Sequence, residues 1–549
     1  MRVLTVGLAA MAVSSAWSQI TGPTPLAWRW VQPTSVAPSG TPVVVGDTAY
    51  VGVGSRLFAL DRETGNQKWK FPLADPIDGY FRTGVIVSDG LAIAAGDNKT
   101  IYAVDATNGE LKWQTQLQSA VVCAPVKCGA VVVAMLSDNT MQAYKIADGS
   151  PVWENPVRLF DGVQGNPIGI DSNIVFFTQR NELVSFNTVN LKSDWRQRFN
   201  QVTPDVTPVL FGDNLYVSSG TFVTVLNAAR GSLRWQKDLG ETLVFNPAVT
   251  ANGIAVASRE GNLHFLNLNG NIVTMKDEKG RTSPALIDLQ GPPAAAPSAI
   301  GKLVAVPTAV GAINLYDPSN MELKWSYTIR PYTSGLKMRT TTSTRTGGGN
   351  TGGSPSGGNS GGNTGGTTEE KPLVAVPAAG PAVSVGDSMM VLVLDGSLLS
   401  FDNNFGVDVT APEVKMAWPS PGAQVNGTQL DVVFQIDDEA TGIKDSSLKV
   451  DVNGQPCKVE FGQDGIAVIR FNAFAKNPAL NNGRAKFTVS VSDWMGNARS
   501  STFSLYIDNT LKPLGLPKDQ PGGDRGAGGT GGGPSTAGSG GGKVGGGGR

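Results

Sequence analysis

The sequence predicts an all-β chain: an eight-bladed β-propeller closed by a strand from the N-terminus, followed by a β-sandwich and a disordered glycine-rich tail. Three observations predict it. A unit of roughly 40–45 residues, the length of a propeller blade, recurs along residues 41–405. The copies open on a short apolar run, behind a proline in seven of the eight and behind Gly84 in the second, and most of them close on a tryptophan. Beyond residue 409 the repeat gives way to longer strands of alternating polarity.

The copies open at TPVVVGD (41), TGVIVSDG (83), APVKCGA (124), NPIGIDS (166), TPVLFGD (207), NPAVTANG (246), APSAIGK (296) and GPAVSVGD (380). Proline suits the first residue of a strand, where its missing N–H costs no ladder bond. The second landmark runs from Asp61 through Gly65 to Trp69, and returns from Asp105 through Gly109 to Trp113 and from Asn227 through Gly231 to Trp235. Looser copies end at Trp153, Trp195 and Trp325, and the sixth places Met275 at the tryptophan position. Asp or Asn ahead of Gly marks a tight turn, because the side chain caps it and Gly accepts positive φ. The constant register of the tryptophans predicts that they pack between blades rather than form a binding platform. His264 aligns with Phe58, Tyr102 and Thr224 of sister copies, which makes it a structural strand residue.

The eighth copy stops at Leu399-Ser-Phe-Asp402 with no tryptophan strand behind it. An orphan one, Leu26-Ala-Trp28-Arg-Trp30-Val31, precedes the first copy. The two complete each other, and a ring joined this way removes two exposed sheet edges. An eighth copy too degenerate to form a blade would leave seven.

The Ala59-Leu-Asp61…Gly65…Trp69 and Ala103-Val-Asp105…Gly109…Trp113 segments resemble the pyrroloquinoline-quinone (PQQ) type propeller repeat with its tryptophan-docking motif. The likeness covers about residues 26–405. It implies Trp30, Trp69, Trp113, Trp153, Trp195, Trp235 and Trp325 as blade-docking residues. Such repeats occur in quinoprotein alcohol dehydrogenases and in non-enzymatic scaffolds of outer-membrane assembly. The enzymes imply PQQ, Ca²⁺ held by acidic and amide oxygens, an aspartate base and usually adjacent cysteines. This chain has neither Cys-Cys nor Cys-x-x-Cys-His, and no catalytic position carries over. The expectation is therefore a non-catalytic scaffold without a cofactor. A PQQ- and Ca²⁺-dependent oxidoreductase is the alternative, and a carbohydrate- or surface-binding module a second one.

Residues 333–371 form a Gly/Ser/Thr/Asn-rich insertion that buries almost no apolar surface and is expected to be disordered. A second long insertion spans 276–295. Within 409–512, runs at Leu430–Ile436, Leu448–Val452, Ala467–Phe471, Phe487–Val491 and Phe503–Ile507 are split by turn signals such as Asn426-Gly427 and Asn453-Gly454, which read as a β-sandwich. Thr410-Ala-Pro412, Asp437-Asp438…Thr441-Gly442 and Asp493-Trp-Met-Gly496-Asn497 resemble bacterial immunoglobulin-like modules. Residues 513–549 are a flexible Gly-rich tail.

Arg2, an apolar run to Val13 and Ala16-Trp17-Ser18 read as a signal peptide over 1–18, leaving the propeller to span 19–408. The expected location is periplasmic or extracellular. No Cys follows the cleavage site and no later run of eighteen apolar residues occurs, so neither a lipid anchor nor a membrane span is expected. Lys+Arg 44 against Asp+Glu 45 disfavours a nucleic-acid partner. One His and three Cys leave little for a zinc, haem or iron–sulfur site.

The residues most suited to a protein partner lie in links between copies. Tyr80, Phe81 and Arg82 form the densest group; Gln164 with Asn166, Phe245 with Asn246, and Arg330 with Tyr332 occupy comparable places. Aromatics and Arg are enriched at protein interfaces, although Tyr80 and Phe81 could equally plug the channel. Asp437, Asp438 and Glu439 are weak Ca²⁺ candidates, since a turn explains them as well. The expected partner is an envelope or cell-surface protein.

Overall fold

A computed structural model describes residues 27–32 as backbone, and 41–81, 83–202, 206–276, 281–330, 375–385, 388–395, 397–402, 408–472 and 477–514. The expected signal peptide over 1–18, the 333–371 insertion, the glycine-rich tail after 514, Arg82, Tyr332 and the Trp30 side chain lie outside the described residues.

Eight four-stranded antiparallel sheets follow one another along 27–402 among the described residues. The first is a meander of Val43–Val45, Thr48–Val53, Arg56–Asp61 and Gln67–Phe71. The next six span 86–116, 126–158, 163–198, 209–238, 248–288 and 298–328. The eighth joins both ends of the repeat region: Ala27–Gln32 pairs with Leu398–Asp402, which pairs with Ser388–Leu392 and through it with Val383–Val385. First strands of consecutive sheets approach each other, as Val126–Cys128 does Val163–Ile170, which places them nearest the axis.

Apolar side chains on both faces of every sheet pack against the two neighbours. Tyr50, Leu57 and Ala59 of the first sheet share a core with Ala92, Ala94 and Val104 of the second. Further cores join each later sheet to the next. The last one puts Ala49, Val51 and Leu60 of the first sheet against Met390, Leu392 and Leu398 of the eighth, so the ring closes. Burial on two faces explains why the second and third strands read as near-continuous apolar runs such as Leu91-Ala-Ile-Ala-Ala.

The turn between third and fourth strands is built as its residues dictate. Asp61 Oδ1 accepts the N–H groups of Glu63 (3.1 Å) and Thr64 (2.8 Å), while the Gly65 N–H bonds Asp61 O at 2.8 Å. In the second to sixth sheets this turn receives the tryptophan of the preceding sheet. The Trp69 indole N–H donates to Ala106 O at 2.9 Å, Trp113 to Ile146 O at 2.9 Å, Trp153 to Thr188 O at 3.0 Å, Trp195 to Ala228 O at 3.1 Å and Trp235 to Leu268 O at 3.2 Å. A Cβ on Gly109, at φ 75°, would sit 2.7 Å from the Trp69 ring, so glycine serves both the turn and the close approach.

The sixth sheet departs from the expected register. Its outer strand is Leu286–Asp288, paired with Asn262–His264. Met275 lies instead in an inserted hairpin, Thr274–Lys276 with Thr282–Pro284. Part of the segment read as an insertion thus supplies the strand.

Residues 413–507 form two sheets, one of four strands and one of five. Val432, Phe434, Ile436 and Ile469 of the first meet Val450, Phe487, Val489 and Leu505 of the second in a shared core, which makes this region a β-sandwich. No described helix is long and apolar enough to cross a membrane.

Candidate functional site

Links between sheets and the turns joining second to third strands share one face of the ring. The Phe81 N–H bonds Gly54 O, the Ser137 N–H bonds Ala120 O and the Gln179 N–H bonds Gly162 O, each at 2.8 Å. Tyr80 is 47% exposed on this face, with its backbone N–H donating to Asp97 Oδ1 at 2.6 Å. Phe81, predicted beside it at the rim, is fully buried and packs edge-on against Tyr102 with ring centres 5.8 Å apart. It belongs to the core between the first two sheets, because the bridge from Phe81 to Gly96 turns its ring inward. Asn166 is exposed; Phe245 and Asn246 are half-buried, as is Gln164, whose amide N–H donates to Asn181 Oδ1 at 3.1 Å. Two exposed apolar residues on neighbouring links escaped the sequence reading: Val122, 47% exposed, and Phe160, 95% exposed. The exposed apolar positions Tyr80, Val122 and Phe160 lie on three consecutive links.

Arg330, also predicted at the rim, does begin a link, beside Ile329 whose N–H bonds Gly311 O at 2.8 Å, but the sandwich covers it. Its Nε donates to Asp437 Oδ1 at 2.7 Å, and the two side chains are only 7% and 13% exposed. This ion pair joins the ring to the sandwich, so Arg330 is not free to meet a partner. Around it, the Trp325 indole N–H donates to Thr441 O at 2.8 Å, the Tyr327 hydroxyl to Glu439 O at 2.9 Å and the Thr328 hydroxyl to Gln463 O at 2.8 Å. In return the Trp494 indole N–H donates to Ser326 O at 3.1 Å. Trp325 thus docks against Phe401 of the eighth sheet, with ring centres 5.2 Å apart, and at the same time against the sandwich.

Asp437, Asp438 and Glu439 do not converge as the sequence suggested. Asp437 faces Arg330, and Glu439 is exposed. Asp438 instead meets Asp408 and Asp493, carboxylates distant in sequence whose oxygens lie within 4.8 Å of its own. Asp438 Oδ1 accepts the N–H groups of Ala440 (3.1 Å), Thr441 (2.9 Å) and Gly442 (2.8 Å). Burial nevertheless pushes its carboxyl up to about 7, with the charges of Asp408 and Asp493 adding to the rise against those donors. The folded chain therefore holds this proton more tightly than the unfolded one. The penalty for ionising it is complete above about pH 7 and is relieved as pH falls towards the ordinary carboxylate range. Chemical denaturation is expected to show a gain of about 1–2 kcal/mol from pH 8 to pH 6. Asp438→Asn, which keeps an acceptor oxygen without the charge, is expected to flatten that slope; a loss of stability over the same interval would refute it.

The sole histidine, His264, is buried, with Nε2 3.1 Å from Glu241 Oε2, which also accepts a bond from the Asn262 amide. Cys123 and Cys128 are free and buried, and burial pushes both thiols up to about 12.

A family model described as outer membrane protein assembly factor BamB matches residues 16–79, 53–193 and 191–345, more than half of the chain. The chain belongs to this family. BamB from Yersinia pestis is 24% identical over 332 residues, covering 52% of this chain and 81% of that protein. The solved structure of BamB from Moraxella catarrhalis has a TM-score of 0.50 at 13% identity and covers 70% of this chain and 99% of that one, a likeness of fold. A putative dehydrogenase, XoxF from Paracoccus denitrificans, is 29% identical over 181 residues, 27% of this chain and 30% of that protein. The BamB model ends at residue 345, so the sandwich lies beyond the matched span.

Proposed function

We propose that the chain is an exported, non-catalytic scaffold of the cell envelope that holds a protein partner on the link face of its ring. Membership in the BamB family carries this reading, since the relatives are named as assembly factors for outer membrane proteins. Tyr80, Val122 and Phe160 on consecutive links suit such a role. A rigid ring orders little backbone when its links bind, so most of the contact energy survives as affinity. The scaffold works without a cofactor, in the periplasm or at the cell surface.

Affinity capture from envelope extracts tests it. The chain is expected to retain a defined partner, and Tyr80→Ala with Phe160→Ala is expected to cut recovery at least tenfold. Both side chains are exposed, so folding is spared. Equal recovery by the variant would remove the link face from the reading. The partial likeness to XoxF favours a PQQ-dependent dehydrogenase as the second reading. Thermal melting with Ca²⁺ and excess PQQ separates the two. A ligand at a hundredfold its Kd stabilises by about 2.7 kcal/mol, and a midpoint rise needing both additives would replace the scaffold by the enzyme.

A further inference from the structure

We propose that the sandwich is the clasp of the ring: the turn Asp438–Gly442, seated on the outer strand of the seventh sheet, holds the seventh and eighth sheets together, and its release loosens the ring at that junction. The inference does not depend on what the link face binds.

The first observation is where the tryptophans find their acceptors. In five sister sheets the indole N–H reaches a carbonyl 33 to 37 residues further on, in the turn of the next sheet. For Trp325 the acceptor is Thr441, 116 residues away and in the sandwich. The turn that supplies it is of the same kind. An aspartate caps the first N–H groups, and a glycine at φ +81° closes it against the neighbouring strand, where a Cβ would lie 2.5 Å from Ser326 O. The match is of type rather than of atoms, since the accepting carbonyl precedes the glycine here and follows the aspartate in the second sheet.

Burial is the second observation. Outer strands such as Leu111–Gln116 and Leu233–Asp238 expose alternate residues, whereas Trp325, Ser326 and Tyr327 are buried in succession. An outer strand buried on both faces has been covered, and the sandwich covers it.

Third, the sandwich packs on a core that both sheets share. Trp494 packs on a core built from Ile313, Leu315, Trp325 and Tyr327 of the seventh sheet and Met389, Val391 and Phe401 of the eighth. Among the described sheets of the ring, the eighth is also the one assembled from distant parts of the chain, with Ala27–Gln32 at one edge. A seam held by strand pairing between remote segments opens at lower free energy than a local meander, unless something braces it.

Hydrogen exchange on the full chain, read by mass spectrometry, tests the proposal. Gly442→Ala forces a Cβ towards Ser326 O at a backbone angle that L-residues avoid. It is expected to raise exchange at least tenfold in Leu323–Thr328 and also in Ser388–Leu392 and Leu398–Asp402. The second sheet, Leu91–Asp105, is expected to stay as in the unaltered chain. Faster exchange confined to the sandwich would overturn the clasp, even if the sandwich unfolded completely, because unfolding releases it too. Should Gly442→Ala fail to accumulate, Trp494→Phe removes the bond to Ser326 O and part of the indole's packing on the shared core, and a rise of about threefold is expected in the same eighth-sheet strands. No rise there would overturn the proposal equally.

Discussion

Trp325→Ala is expected to be the most destabilising single truncation among the docking tryptophans. The side chain is fully buried, stacked on Tyr327 with ring centres 5.7 Å apart and edge-on to Phe401. Emptying such a site costs about 3–5 kcal/mol through lost transfer energy and an unfilled cavity. The Thr441 carbonyl also loses the indole donor, and a buried acceptor left unmade adds about 1–3 kcal/mol. Trp235 makes a useful comparison. Its indole bond is 3.2 Å and its ring is only part-buried against the sixth sheet, so Trp235→Ala is expected to cost less. Trp325→Phe keeps a six-membered ring but drops the N–H and part of the indole's volume, so its loss is expected to fall below that of Trp325→Ala. Urea titrations of the three variants check the order. Equal losses for the two alanine variants would mean that the sandwich adds nothing to the seventh-sheet slot.

The repeat made the ring legible because each landmark has a local cause. Asp or Asn caps its own turn and Gly accepts the left-handed backbone. The tryptophan must reach the next turn at a fixed distance, so spacing alone located Trp69, Trp113, Trp153, Trp195 and Trp235. Spacing failed where a hairpin was inserted. In the sixth copy, counting from Pro247 reaches Met275, but the strand that pairs with Asn262–His264 begins at Leu286. Site residues fared worse, because exposure is not a local property. Phe81 reads as a surface aromatic and is core, while Phe160, which no sequence feature singles out, is almost wholly exposed. Phenylalanine is usually buried, so only the fold separates the two cases. Asp408, Asp438 and Asp493 come together from three loops of the second half, with no spacing rule to connect them.

Arg330 and Asp437 lie 107 residues apart, and nothing in either neighbourhood announces the other. Arg330→Met is expected to destabilise the chain by about 3–5 kcal/mol, because it strands the Asp437 carboxylate among groups that have little access to water. Asp437→Leu is expected to do the same to the guanidinium. The double variant is expected to recover most of either loss, since two apolar side chains of similar volume replace two buried charges and neither is left unpaired. The coupling read from the cycle is expected to persist at 0.5 M salt, for ions do not screen a pair sealed from solvent as they screen a surface one. The same cycle decides what Arg330 is for. If it clasps the sandwich, partner capture by the double variant matches that of the unaltered chain while each single variant melts early. If it reads a partner from the ring's rim, capture falls in every variant lacking the guanidinium, whatever happens to stability. Additive losses with no coupling would mean that the contact between the two side chains contributes nothing to holding the sandwich on the seventh sheet.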